Sequence, residues 1–168
     1  MDLVQKFESY MQDFERTWHD GDWTRVRRHL TDDFVHERDV RPLSWFRDEG
    51  AEGAVRRWRE EVENFDKEFD SRIFVPKAPA RQDGSEVRLD WVCLFMLDGI
   101  PALIDEGTEV AEFRDGRMAA LRGEYHRDAI DRMLLWTQQY GDRLPQVAEY
   151  FRTERGAGRR DAPVSTLA

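Results

Sequence analysis

An α+β domain, with helices covering one face of an antiparallel sheet, is the fold class this sequence predicts, and three observations predict it. Leu3, Phe7, Tyr10, Phe14 and Trp18 recur at spacings of three and four, the period of a helix with one buried stripe. From about Arg72 the period changes to two, broken at Gln82-Asp83-Gly84-Ser85, Asp98-Gly99 and Arg114-Asp115-Gly116, which read as turns. Helices precede strands without a βαβ alternation, which excludes a doubly wound parallel sheet.

Taken in order, the first helix carries Val4 and Met11 beside its aromatic stripe and ends at Asp20-Gly21-Asp22. The same tripeptide offers an N-cap to a short second helix bearing Trp23, Val26 and Leu30. Thr31-Asp32-Asp33 breaks it, and Phe34-Val35-His36-Glu37 reads as a short strand. Arg38 to Gly50 has no clear period and reads as a loop or a mobile flap. A third helix follows Gly53, with Val55, Trp58, Val62 and Phe65 inward. Arg72 to Ala80 reads as a strand confined to an edge or bulge by Pro76 and Pro79. Glu86 to Leu97 is the strongest strand; others run from about Ile104 to Phe113 and from Arg117 to about His126. A last helix carries Ile130, Met133, Leu134 and Trp136, with one more turn at Gln146 to Phe151. From Thr153 the chain is mostly Gly, Arg, Ala, Pro and Ser, which cannot bury enough to order itself. The expected division is a domain at 1–152 and a disordered tail at 153–168.

The 168 residues suit one domain. A net charge of −9 argues against a general binder of nucleic acid or anionic membranes. Cys93 is the only cysteine, so no intrachain disulfide forms and a cytoplasmic setting is expected. No apolar run approaches the roughly 18 residues of a membrane span, and residues 1–6 lack the pattern of a signal peptide. The four histidines are scattered without paired spacing, so no metal site is expected. No phosphate loop, nucleophile elbow or dinucleotide fingerprint is present, and no cofactor is expected.

Three segments, Trp18-His19-Asp20-Gly21-Asp22-Trp23, Leu30-Thr31-Asp32-Asp33-Phe34-Val35 and Glu112-Phe113-Arg114-Asp115-Gly116-Arg117-Met118, followed by Glu124-Tyr125, carry a resemblance. In their order the chain resembles the nuclear transport factor 2-like superfamily over roughly residues 3 to 140. Its members include SnoaL-like polyketide cyclases, ketosteroid isomerases and limonene-1,2-epoxide hydrolases. The resemblance implies a cone-shaped curved antiparallel sheet closed by three N-terminal helices over a pocket. Such scaffolds host unrelated activities, so chemistry is argued from the site.

On the strand Glu86–Leu97, Arg88, Asp90, Val92, Leu94 and Met96 share one face, and Leu89, Trp91, Cys93, Phe95 and Leu97 the other. The resemblance assigns the first face to the pocket and leaves the wholly apolar face bearing Trp91, Cys93 and Phe95 to a second copy in a homodimer. Arg88-Leu89-Asp90 is similar to the Arg-x-Asp element of limonene-epoxide-hydrolase-like enzymes, and Glu124 falls where their second Asp stands. Arg88, Asp90 and Glu124 are therefore the expected catalytic trio, an Arg holding two carboxyls at different pKa values. His36, Arg38, Trp58, Val92, Arg122 and His126 are the expected substrate contacts. SnoaL-like cyclases need a single acid or base, a role open to Glu124 or His126. The implied reaction is cofactor-independent cyclisation, epoxide opening or isomerisation of a small, mostly apolar polyketide or terpenoid-like metabolite in secondary-metabolite biosynthesis. The alternatives are a ligand-binding or protein-docking module, a solvated Arg88/Asp90 pair, and a structural Glu124 paired with Arg122 or Arg127.

Overall fold

The apolar stripe of the first helix requires a partner surface, and the sheet supplies it. The structure is a computed structural model, in which residues 2–40 and 44–149 are described. Helix α1 spans Leu3–Asp20; a capping box between Asp2 and Gln5 starts it, and Gly21 at φ 75° ends it. One helical turn, α2 (Thr24–Arg27), leads into β1 (Leu30–Val40), and β2 (Ser44–Glu49) pairs antiparallel with β1. Helix α3 (Ala51–Asn64) and a single 3₁₀ turn (Asp66–Glu68) precede β3 (Ser71–Pro76). Then come β4 (Arg81–Asp83), β5 (Glu86–Met96), β6 (Leu103–Arg114), β7 (Arg117–Tyr125) and α4 (Arg127–Tyr140).

The sheet runs β2-β1-β7-β6-β5-β3, with β4 also pairing to β5. All pairings are antiparallel except β1 with β7, so the chain returns its last strand beside its first. The sheet is curved and unclosed, with β2 and β3 as its edges. Helices and sheet make a cone-shaped α+β fold.

Two parts of the expected element order need correction. Within the segment expected as a loop from Arg38 to Gly50, the described residues are mostly strand: β1 runs on to Val40, and β2 (Ser44–Glu49) lies along it with Phe46 opposite Arg38, while residues 41–43 lie outside the described residues. Its mixed composition hid the period because the two faces of this hairpin both meet polar partners. Leu30 opens β1 and is not part of the second helix. The strand 71–76 stops at Pro76, which cannot donate to a ladder and sits on the edge strand as anticipated. A further helical turn occupies residues 145–149, and the tail from 153 lies outside the described residues.

Two connected cores fill the concave side. One gathers Phe7, Tyr10, Trp23, Phe34, Trp58, Val87 and Leu89 beneath α1 and α3. The other gathers Phe65, Phe69, Trp91, Cys93, Phe95 and Trp136 beneath α4. The face bearing Trp91, Cys93 and Phe95 is therefore the covered, concave face, and it is unavailable to a second subunit. The convex face carries Arg88, Asp90 and Val92, and it exposes Ile73, Val75 and Ile104. The physical reason is simple. A wholly apolar strand face must be covered by the chain's own helices, and a face that starts charged can meet water.

Candidate functional site

Strand register fixes which side chains face the helices. From β1 across β7 and β6 to β5, His36, Leu121, Ala111 and Val87 form one row. Arg38, Gly123, Glu109 and Leu89 form the next. Tyr125, Gly107 and Trp91 form a third, and Asp105 and Cys93 a fourth, continued by Phe74 on β3. These rows, with Tyr10 and Glu15 of α1 and Trp58 and Glu61 of α3, line a cavity of about 190 Å³. Its wall is mostly aromatic, with five carboxyl groups (Glu15, Glu61, Asp66, Asp105, Glu109) and two guanidiniums (Arg38, Arg72) among its lining residues.

Gly123 makes the second row work. A Cβ there would lie 3.2 Å from Glu109 Oε1 and 3.7 Å from Arg38 Cγ. The missing side chain leaves a notch in which Glu109 and Arg38 approach from opposite sides. Arg38 Nη1 donates to Glu61 Oε1 at 3.0 Å, and its guanidinium lies 5.5 and 5.7 Å from the ring centres of Phe46 and Tyr125. Glu61, Arg38 and Glu109 thus make a carboxyl–guanidinium–carboxyl sequence across the cavity.

Glu109 Oε2 is enclosed and has no hydrogen-bond partner. Burial pushes the Glu109 carboxyl up to about 8, against the opposing charge of Arg38 and with help from Glu61 and Asp105. Asp105 is 7% exposed, and its Oδ1 is likewise enclosed and partnerless. Burial raises Asp105 to about 7, while Arg38, a backbone hydrogen bond at Glu106 and one from Tyr125 pull the other way. Tyr10 is held well above the usual phenol value by burial and then by the Glu109 charge, so its hydroxyl stays a donor. Tyr125 is raised by burial in the same way.

The far end of the cavity is a fixed polar cluster. Trp18 Nε1 donates to Asp66 Oδ2 at 3.0 Å, Arg72 Nε lies 3.5 Å from the same oxygen, and Arg72 also pairs with Glu15. Burial lifts Asp66 to about 6 despite Arg72. Cys93 lies in the wall, where burial pushes its thiol far up and leaves it a packing group.

Of the residues expected from sequence, His36, Arg38 and Trp58 reach the cavity. His36 is a wall residue held neutral: burial, then Arg38 and Arg57, depress it well below the ordinary imidazole value. Trp58 Nε1 donates to its Nε2 at 3.3 Å, which places the imidazole proton on Nδ1. The catalytic trio does not come together there. Arg88, Asp90 and Glu124 are exposed on the convex face, where Thr108 Oγ1 donates to Asp90 Oδ1 at 2.6 Å. Val92 shares that face, Arg122 pairs with Glu86 Oε1 at 2.6 Å, and His126 is the N-cap residue of α4. None of these six lines the cavity.

Sequence reading missed Glu109, Asp105, Glu61 and Tyr10. A signal was present. In β6 the residues Leu103, Asp105, Gly107, Glu109, Ala111 and Phe113 share one phase, and its apolar ends mark that phase as the covered one. Carboxyls embedded in an apolar phase are groups the fold buries on purpose or at a cost. The segment Phe34-Val35-His36-Glu37-Arg38-Asp39-Val40 has the same form in β1.

Among the described residues, no cluster of three or more histidine, cysteine or acidic side chains is arranged to hold a metal ion, and no helix is long and apolar enough to cross a membrane.

No protein-family model matches the chain, and no curated protein matches its sequence. Solved structures do match it. An LEH-like epoxide hydrolase from M. tuberculosis superposes with a TM-score of 0.59 at 16% identity, over 82% of this chain and 92% of that one. An NTF2-like protein of unknown function from Burkholderia pseudomallei also gives 0.59, at 12% identity over 79% and 98%. A de novo designed protein with a curved β-sheet gives 0.51 at 16% identity, over 78% and 96%. The fold is the nuclear transport factor 2-like one, and such a fold by itself assigns no activity.

Proposed function

We propose that this nuclear transport factor 2-like cavity is a cofactor-independent acid–base site acting on a small, mostly apolar metabolite, with Glu61, Arg38 and Glu109 as its working groups. The carrying observation is the Glu109 carboxyl, set over Gly123 beside Arg38 with one oxygen enclosed and unbonded. With its pKa near 8, Glu109 holds its proton at neutral pH and can donate it to a substrate oxygen. Glu61, hydrogen-bonded to Arg38, faces the same space and is suited to orient water or an internal hydroxyl as the nucleophile. Arg38 between them offsets charge building on either side. Tyr10 supplies a second donor close to Glu109.

This arrangement supports epoxide opening or the related cyclisation, in which one oxygen gains a proton as a nucleophile loses one. Likeness to an LEH-like epoxide hydrolase favours the first. A second copy of the chain, if it pairs, would use the convex patch of Ile73, Val75 and Ile104.

The test is turnover of a panel of small terpenoid and styrene-type epoxides across pH. Turnover should fall as pH rises through about 8, where Glu109 loses its proton. In Glu109→Gln it should drop by about 10²–10⁴-fold, the usual share of a positioned acid. Undiminished turnover by that variant would sink the assignment.

A further inference from the structure

We propose that the molecule this cavity takes carries a cationic amine, seated on Asp105 beside the ring cluster of Trp91, Tyr125 and Phe74. The inference rests on the cavity being the functional site and assigns its charge recognition, which acid–base chemistry leaves open. The two guanidiniums of the cavity are already engaged: Arg38 with Glu61, and Arg72 with Asp66 and Glu15. Asp105 feels the Arg38 charge but forms no ion pair among the described residues, and its Oδ1 is enclosed without a partner. A buried carboxyl oxygen left unbonded is costly, and a ligand donor is the natural remedy.

The rings around it have the form of a cation seat. Asp105 lies in register with Cys93 and Phe74, one row from Trp91 and Tyr125. Trp91 stacks on Phe74 at 5.7 Å and meets Tyr125 edge-on at 5.5 Å. At Gly107, between Asp105 and Glu109 on the same face of β6, the absence of a side chain lets the Trp91 ring come in: a Cβ there would lie 3.2 Å from Trp91 Cζ2. An ammonium set among aromatic faces gains cation–π attraction in addition to its ion pair. A net charge of −9 over the whole chain also favours approach of a cation.

The charged and titratable groups that face Asp105 are Arg38 on β1, Tyr125 on β7, Glu109 on its own strand β6, Asp66 after α3 and Cys93 on β5. Arg38 and the Tyr125 hydrogen bond favour its ionised form, whereas burial and Asp66 oppose it, to a balance near 7. A cation therefore binds with proton release near neutrality, and its advantage grows as pH rises from 6 to 8.

The experiment compares phenethylamine, 2-phenylethanol and phenylacetate, which share one ring and differ in charge, by calorimetric titration of the full chain at pH 6 and pH 8. Phenethylamine should bind about tenfold tighter than 2-phenylethanol at pH 8, as expected for one charge-assisted contact, with phenylacetate weakest. In Asp105→Asn the amine-to-alcohol ratio should fall toward one, and in Asp90→Asn, on the exposed convex face, the preference should survive. Equal affinity of the three probes, tighter phenylacetate, no binding of any, or a preference untouched by Asp105→Asn would each overturn the proposal. A lost preference alongside Glu109-dependent epoxide turnover sinks this assignment alone; an intact preference without that dependence sinks only the catalytic one.

Discussion

Strands β5, β6 and β7 carry carboxyls on both faces, and the two faces treat them in opposite ways. On the convex side Asp90 accepts from Thr108 and is exposed, as is Glu124. On the concave side, a few ångströms through the same sheet, Asp105 and Glu109 each keep an enclosed oxygen with no partner. Solvent satisfies the first pair and costs nothing. Burial raises the second pair toward neutral pH, which is where proton transfer at pH 7 requires them. The face, and not the residue type, decides which carboxyl can work.

The largest effect that sharpens this contrast is on turnover. Asp90→Asn and Glu124→Gln should leave epoxide turnover within about twofold of the parent, beside the loss of about 10²–10⁴-fold in Glu109→Gln. Equal losses on both faces would break the contrast.

Next in size are two glycines that shape the inner face. At Gly107 a Cβ would lie 2.5 Å from the backbone oxygen of Glu124, so Gly107→Ala must move backbone and should cost about 1–3 kcal/mol in thermal or denaturant unfolding. At Gly123 the nearest atoms are the Glu109 carboxyl at 3.2 and 3.6 Å, a group that can give way. Gly123→Ala should unfold nearly normally yet lower turnover, because it displaces the acid. A Gly123→Ala protein with full activity would argue that the Glu109 position does not matter.

These glycines also show what was legible in the sequence. The period of α1, the turns at Gly84 and Asp115-Gly116, and the strands β5 to β7 were all readable, because local propensity and tertiary packing agree there. Strand alternation correctly grouped Arg88 with Asp90 and Leu89 with Trp91. It could not say which group faces the helices, since parity is symmetric under exchange of faces. The resemblance supplied that choice and inverted it. The carboxyl–Arg–carboxyl arrangement expected of Asp90, Arg88 and Glu124 is found instead in Glu109, Arg38 and Glu61, contributed by β6, β1 and α3. A trio drawn from three distant elements leaves no motif along the chain.

Stability against pH gives a smaller and differently signed pair of effects. Glu109 has a folded pKa near 8 against an unfolded value of about 4.3, so the folded state holds its proton more tightly. Its contribution is full below about 4.3 and is lost as pH rises through 8, and Asp105 and Asp66 share that sign. Asp13 is the opposite case. Burial pushes it up, but hydrogen bonds from His29 at 2.7 Å and Arg28 at 2.5 Å outweigh burial and leave it lowered. Its contribution is present above the unfolded Asp value of about 3.9 and fades as pH falls. Unfolding midpoints should therefore peak on the acid side of neutrality, and Glu109→Gln should recover about 1–3 kcal/mol at pH 9. Asp13→Asn should flatten only the acidic limb. A midpoint that rises steadily from pH 6 to pH 9 would contradict the buried, neutral state of the inner carboxyls.

The smallest effect belongs to the outer face and is informative for being small. Arg88 and Asp90 are both exposed on β5, and no ion pair joins them among the described residues. Arg88→Ala should change stability by less than about 0.5 kcal/mol, since exposed charges away from caps and networks rarely do more. Asp90→Asn keeps an oxygen for Thr108 and should be equally quiet. A double variant at both positions should match the sum of the single ones, because groups without mutual contact add. A loss of 2 kcal/mol or more, on the order of a broken buried pair, would mean that something covers this face in solution, and that the convex side is an interior surface in the working protein.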